Sequence, residues 1–352
     1  MNPGEAIVGG KRRQVQAQGQ PSLKLQKHKQ KHLYLVLDDW DKGFTIRKVD
    51  ADGPDLSEPP VLRLVSPEPC YSMFFTSMGS HILAISNQHP VTLSYDTDTA
   101  GLAVGPSLPD ALRDAYDIFV PAADKLYAFG FYFRERPQSV EVMSSSATER
   151  HPCNSLIPSK DWSWRSVVPS PFTEDERICS YAVHPDGCTI FVSSHFCCTR
   201  DERIRTFSFN ISNWEWRCHG DWELPFVDQG YFDSDLDAWV GLHKEGYIGT
   251  CQVASRRAGT MQRQLDWKMA KDKLWSKEEQ AADGPTLTCM GNARFCLVDS
   301  VKGKEFDGCL LQITTFRLRY SRKGELQIVD RNTSSCPVSK YHNSFSPIAF
   351  WM

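Results

Sequence analysis

No apolar run in this 352-residue sequence approaches the roughly 18 to 20 residues of a membrane-spanning helix. The N-terminus also lacks the apolar stretch of a secretory signal peptide, so the expected location is cytoplasmic, nuclear or both. Without secretion, the twelve cysteines read as reduced, mostly buried thiols rather than a disulfide framework. For the same reason Asn210-Ile-Ser212 and Asn332-Thr-Ser334, which match the glycosylation pattern, carry no consequence. There is no P-loop, no G-x-S-x-G, no H-E-x-x-H, no dinucleotide fingerprint and no C-x-x-C. Their absence removes the commonest sequence signals for nucleotide, hydrolase, zinc-protease and dithiol chemistry.

Charge is unevenly placed. The net value of −3 conceals seven Lys and Arg against one Glu in residues 1–31, leaving 33 basic and 42 acidic residues beyond. An acidic body is a poor surface for phosphate backbones, so nucleic acid could be bound only through the tail. That tail, rich in Gln, Gly and Lys, has no sustained apolar period and is expected to be disordered. Lys11-Arg12-Arg13 and the Lys24–Lys31 cluster could serve nuclear import or simply be solvated.

Helical periodicity is scarce. Residues 268–282 (KMAKDKLWSKEEQAA) and 108–116 (LPDALRDAY) are the two candidates for helices, both peripheral. From His32 onward the chain reads instead as short alternating runs bounded by Gly, Pro, Asn and Asp, which predicts an all-β fold. Compact apolar strands recur at HILAIS (from 81), KLYAFG (125), CTIFVS (189), AWVGLH (238) and RFCLVD (294). Each follows another strand across a short turn and precedes a third. A fourth segment often carries Trp and then Pro, as in WSWRSVVPSPF and WEWRCHGDWELPF. Four strands in a unit of about 50 residues predict β-propeller blades.

Residues 33–50 supply the second and third strands of one further unit and residues 59–65 its fourth, but no first strand precedes them. The terminal SFSPIAFWM, residues 344–352, can fill that place. The prediction is a single propeller over residues 32–352, with six four-stranded blades, closed by the C-terminal strand pairing into the N-terminal blade. Closure removes sheet edges that invite aggregation.

HLYLVLDDWDKGFTIRKVD, MGSHILAISN, TLSYDTDTAGLAVGPSLPDAL and WSWRSVVPSPF resemble a plant family, expanded in cereals, catalogued as a domain of unknown function. The resemblance runs from about residue 32 to the C-terminus and implies a divergent kelch-type propeller. YDTDTAGL and FNISNWEW are kelch-like, although the double Gly that usually ends the second kelch strand is missing. The resemblance brings no activity with it. No F-box segment stands before residue 32, so the sequence offers no sign of a ubiquitin-ligase adaptor. Nor do its residues supply the Tyr, His and Cys constellation of the kelch-fold copper oxidase.

Several clusters carry residue types capable of chemistry. His195-Phe196-Cys197-Cys198, with Cys179 and Cys188 nearby, is the densest set of possible metal ligands. Strand alternation would send Cys197 and Cys198 to opposite faces, where four ligands could not converge. Asp233-Ser-Asp235-Leu-Asp237 begins like a calcium loop but has Ala238 where Gly is needed and Lys244 where Glu is needed, so a hairpin corner is expected. His28 and His32 lie in a Lys-rich tail that repels cations. Asp38, Asp39 and Asp41 form no recognisable catalytic dyad. No metal and no cofactor is expected.

In a propeller, the loops joining second to third strands share one end with the connections between blades. Here they are 38–43, 86–90, 132–138, 195–202, 243–246 and 301–308, and they carry charges of both signs. Wet loops are polar in any case. The functional expectation is that Trp40, Phe131, Tyr132, Phe133, His195, Phe196 and His243, set among Arg134, Arg136, Arg200 and Lys244, form a face that recognises a protein partner, since aromatics and Arg anchor interfaces. The leading expectation is a non-enzymatic scaffold or adaptor. The alternative is an enzyme using the central channel.

Overall fold

Short alternating apolar runs fold into strands β1 to β24, and the described residues contain no α-helix. The computed structural model describes residue 1 and residues 30–66, 73–86, 91–113, 116–131, 139–146, 161–173, 176–196, 203–256, 265–279, 284–302, 308–341 and 345–352. For residues 116, 117, 131, 146, 161 and 279 it describes the backbone alone. The basic tail expected to be disordered lies outside these residues except at its ends. No described helix is long and apolar enough to cross a membrane.

Strands β1 (Leu33–Trp40), β2 (Gly43–Val49) and β3 (Leu62–Val65) form an antiparallel meander. A second set comprises β4 (Met73–Met78), β5 (His81–Ser86), β6 (Leu93–Asp96) and β7 (Gly101–Val104), and a third β8 (Tyr116–Ala122), β9 (Lys125–Phe131), β10 (Val140–Ser146) and β11 (Asp161–Ser166). The fourth set is β12 (Glu176–Val183), β13 (Thr189–Phe196), β14 (Ile204–Asn210) and β15 (Glu215–Gly220), and the fifth β16 (Val227–Asp233), β17 (Ala238–Leu242), β18 (Tyr247–Cys251) and β19 (Trp267–Lys273). The sixth is β20 (Thr286–Gly291), β21 (Arg294–Lys302), β22 (Cys309–Tyr320) and β23 (Leu326–Val338). Finally, β24 (Ile348–Trp351) pairs with β1 and gives the first set its fourth strand. The fourth and fifth sets run together into one eight-stranded sheet through a parallel pairing of β12 with β16.

Burial explains the continuous apolar runs of the second strands. β13 and β17 are covered on both faces along most of their length, as β1 is, whereas the outer strands β7 and β15 are largely exposed. A strand that must satisfy two neighbouring sheets cannot alternate polar with apolar residues. The contacts between sets are specific. Phe44 and Tyr34 of the first set pack on Phe75 and Ile82 of the second, and Leu83 of the second on Leu126 of the third. Phe129 of the third meets Phe209 of the fourth with ring centroids 6.0 Å apart. Phe191 of the fourth lies 5.4 Å from Trp239 of the fifth, whose indole Nε1 donates to Val183 O at 3.0 Å. Val240 and Ile248 of the fifth set join Phe295 and Phe316 of the sixth, and Val298 and Ile313 of the sixth join Leu33, Leu35 and Ala349 of the first.

Two predicted helices are not formed. Residues 267–273 are strand β19, with Trp267 opposite Cys251 and Lys268 opposite Thr250. Helix-favouring Lys and Ala are overridden because this segment covers the otherwise unpaired edge of β18, burying Ala270 and leaving the lysines in water. Only Lys277–Glu279 makes a single 3-10 turn. Residues 108–116 likewise contain one 3-10 turn, Asp110–Leu112, after which Tyr116 enters β8. The Asp233–Asp237 corner is the predicted hairpin turn. Asp233 Oδ1 accepts from the amides of Asp235 (3.0 Å) and Leu236 (3.1 Å), and its Oδ2 accepts from Ala293 N (2.9 Å) in the next set.

The acidic stretch Asp38-Asp39-Trp40-Asp41 is divided between tasks. Asp39 accepts from Thr45 Oγ1 at 2.5 Å and from Arg47 Nε at 2.9 Å, while Arg47 Nη1 donates to the carbonyls of Leu56 and Glu58 and so pins the connection to β3. Asp38 is buried against Lys340. Only Asp41 and Lys42 make the turn, and Gly43 follows at φ +152° because an added Cβ would strike Leu64 O and Ser66 N.

Candidate functional site

The fourth and fifth sets fix the direction of their loops. Since β12 and β16 run parallel, β13 and β17 run parallel too, and the connections following Phe196 and Leu242 leave from the same end. Five of the sequence-predicted residues can be placed. His195 is half-buried and pairs across the sheet with Arg177 and Ile204. Phe196 lies beneath two guanidinium groups, Arg203 at 5.3 Å and Arg205 at 5.8 Å from its ring centroid. Arg205 is fixed from behind, because Glu176, fully buried, accepts from its Nε at 2.8 Å and pairs with its Nη2, and also accepts from Thr173 N and Ser194 Oγ. Such a doubly bonded carboxylate–guanidinium pair holds its geometry well. His243 stacks on Trp267 with centroids 5.2 Å apart, and its Nδ1 accepts from Glu245 N, so it braces its own turn. Lys244 is exposed at that turn's tip. Trp40 ends β1, half-buried, at a register shift against β2.

Tyr132, Phe133, Arg134, Arg136 and Arg200 lie outside the described residues, as do Cys197, Cys198 and most of the loops 86–90, 132–138, 195–202 and 301–308; of Phe131 the backbone alone is described. The remaining thiols near the former cluster are separated in role. Cys179 donates to Ser193 O at 3.3 Å and burial pushes its pKa up to about 11. No group of three or more possible metal ligands occurs among the described residues.

Sequence reasoning missed a cavity of about 610 Å³. Its walls come from the first strand of every set: β4, β8, β12, β16, β20 and β24. Phe74, Phe75, Phe119 and Phe350 supply apolar surface, and Leu242 and Phe44 place it at the end where the second-to-third connections emerge. One described lining residue carries a charge, Asp228. Asp228 is solvent-exposed, yet the protein packed around it desolvates the carboxylate enough to raise its pKa above the ordinary value. The field of Arg177 opposes that rise and is the smaller effect. Tyr181 and Tyr231, both raised by burial, feel the same carboxylate.

A local break in β16 puts Asp228 there. β16 pairs with β17 at Val227–Leu242 and again at Tyr231–Val240, leaving residues 228–230 facing the single residue Gly241. The bulged segment turns instead to β12, where Ser180, Tyr181 and Ala182 pair with Asp228, Gln229 and Gly230. Asp228 takes the left-handed conformation, φ +54°. The ring of Phe226 fills the space between Gly230 and Gly241, so closely that an added Cβ on Gly241 would lie 2.5 Å from Phe226 Cγ. Bulges of this kind re-aim side chains, and strained backbone of this kind gathers at functional sites. The signal in the sequence was VDQGYFD, where an Asp, a Gln and a Gly interrupt an apolar strand.

Gly241→Ala is therefore expected to force Phe226 out of its slot and cost about 1–3 kcal/mol, the usual range for overpacking a filled core. Denaturant unfolding measures it. Gly53→Ala, where an added Cβ meets nothing within 4 Å, is expected to be nearly neutral, and equal effects at both positions would contradict the slot.

A family model described as a protein of unknown function, DUF1668, matches residues 30–336. No curated protein matches the chain. Similar solved structures include a nidogen/laminin complex (TM-score 0.49, 8% identity, covering 92% of this chain and 98% of that one). TolB from Acinetobacter baumannii has TM-score 0.47 and 14% identity, covering 91% of this chain and 66% of that one. The periplasmic gluconolactonase PpgL from Pseudomonas aeruginosa has TM-score 0.46 and 14% identity, with coverages of 85% and 83%. At such scores and identities the likeness carries neither fold nor activity to this chain.

Proposed function

Because the chain belongs to the DUF1668 family, whose function is unknown, its role has to be argued from geometry, and we propose that it is a six-bladed β-propeller acting as a non-enzymatic protein-docking module. The architectural half of this reading draws support from six four-strand sets that pack on one another in chain order, with the sixth meeting the first and β24 completing the first. A cavity walled by all six first strands is what a ring with a central channel would contain.

The functional half is carried by one observation, the Phe196 ring held beneath Arg203 and Arg205 at the loop end. An aromatic and an Arg already fixed by the buried Glu176 lose little freedom on binding, which is the property of an interface anchor. The loop residues Tyr132, Arg134, Arg136 and Arg200 belong to the same proposed face, together with Trp40, His195, His243 and Lys244. A folded protein or an acidic peptide suits this mixed surface. Proximity labelling with the wild type and a Phe196→Ala, Arg203→Glu variant tests it. The variant is expected to lose a defined subset of neighbours while melting normally, and identical neighbour sets would remove this face from consideration.

A further inference from the structure

We propose that the cavity walled by the six first strands binds a small organic cation, a protonated amine on an apolar or aromatic body, with Asp228 as its counter-charge. The inference does not depend on the docking face. It rests on what the cavity can and cannot offer a ligand.

Four hydroxyl donors of the wall are already committed. Tyr181 Oη donates to Gln229 Oε1 at 3.2 Å and Tyr231 Oη donates to Leu287 O at 2.8 Å. Thr286 Oγ1 donates to Pro347 O at 2.6 Å and Thr288 Oγ1 to Ala349 O at 2.7 Å. Each of these hydroxyls has spent its one proton, so toward the cavity it presents lone pairs. Added to the Asp228 carboxylate, these four acceptors complement a ligand that donates.

Charge narrows the class further. No described ion pair engages Asp228, and it is the one charged residue on the described wall. A carboxylic acid ligand would meet like charge, and a purely apolar one would cover the carboxylate without compensating it, which is costly. An ammonium group relieves that cost, and the surrounding aromatic rings add favourable faces for a cation. The volume of about 610 Å³ falls in the range of small-molecule sites. The bulge, with left-handed backbone at Asp228, brings that residue onto the cavity wall.

The full chain would be titrated with 2-phenylethylamine and 2-naphthylethylamine, each beside its matched alcohol and carboxylate, following saturation-transfer NMR and the thermal melt. The amines are expected to bind and raise the melt, the carboxylates to do neither, and the alcohols to fall between. Asp228→Asn is expected to weaken amine binding by roughly fivefold or more, the size expected for losing one partner of a partly screened charge pair, while leaving the alcohols unchanged. The variant should melt no lower than the wild type, because it loses an uncompensated charge, and that melt establishes that it is folded. Amines that bind no better than their alcohols, or an Asp228→Asn variant that binds amines as the wild type does, would overturn the proposal. Loss of amine binding in the Phe196→Ala, Arg203→Glu variant would show the two sites to be coupled and overturn their independence.

Discussion

Deleting Ser344–Met352 is expected to abolish the cooperative melt of the whole unit or to lower its midpoint by more than about 10 °C, although only nine of 352 residues are removed. Four registered pairs join β24 to β1, from Leu33–Trp351 to Val36–Ile348, and His32 and Met352 exchange two further backbone hydrogen bonds at 2.6 and 3.0 Å. Phe345 packs against Phe44 at 4.8 Å and Phe75 at 6.0 Å. Ala349 and Pro347 accept from Thr288 and Thr286 of β20. Large apolar side chains contribute about 1.5–3 kcal/mol each when fully buried. The partly buried Phe345, Ile348, Phe350 and Trp351, with the strand's hydrogen bonds, therefore amount to roughly 6–10 kcal/mol, a loss comparable with the whole stability of a typical domain. The peptide SFSPIAFWM added in trans is expected to restore part of the melt. An undiminished, fully cooperative transition in the deleted chain would contradict the structural role assigned to β24.

Lys340→Met is the single substitution expected to cost most, about 3–5 kcal/mol, because it removes the cation that faces the buried Asp38 carboxylate. Both side chains are only 6% exposed, with Lys340 Nζ 3.3 Å from Asp38 Oδ2. Lys340 also donates to Phe345 O at 2.6 Å, and Tyr341 N donates to Asp38 Oδ2 at 3.2 Å, so the pair ties β1 to the chain leading into β24. Asp38→Asn combined with Lys340→Met is expected to recover a measurable part of the loss, since the buried carboxylate charge is then gone, and denaturant unfolding of the four proteins gives the coupling directly. Additive losses would mean that the two groups do not act as a pair.

These two expectations show how unevenly the sequence discloses the structure. The hairpin of β1 and β2, the strand at 59–65 and the vacant place taken by residues 348–351 were all readable, because alternation, turn residues and an unpaired edge are local signals. β19 was not, since Lys, Ala and Glu favour a helix until an open edge of β18 is present to claim them. The roles of Asp38 and Asp39 were equally hidden. In the sequence they are an acidic corner, whereas in the fold their partners stand 302 and 8 residues away.

The cavity marks the limit most clearly. Apolar periodicity in the chain sufficed to dictate an all-β molecule made of four-strand sets, because burying two faces of every inner strand leaves few other arrangements for such runs. It could not disclose Asp228 as a wall residue. That position exists only because β16 leaves β17 for three residues, Phe226 fills the gap between two glycines, and five other first strands wall the same cavity. The other walls of the cavity come from segments far apart in the chain, and neither propensity nor spacing records which distant residues will surround a given side chain.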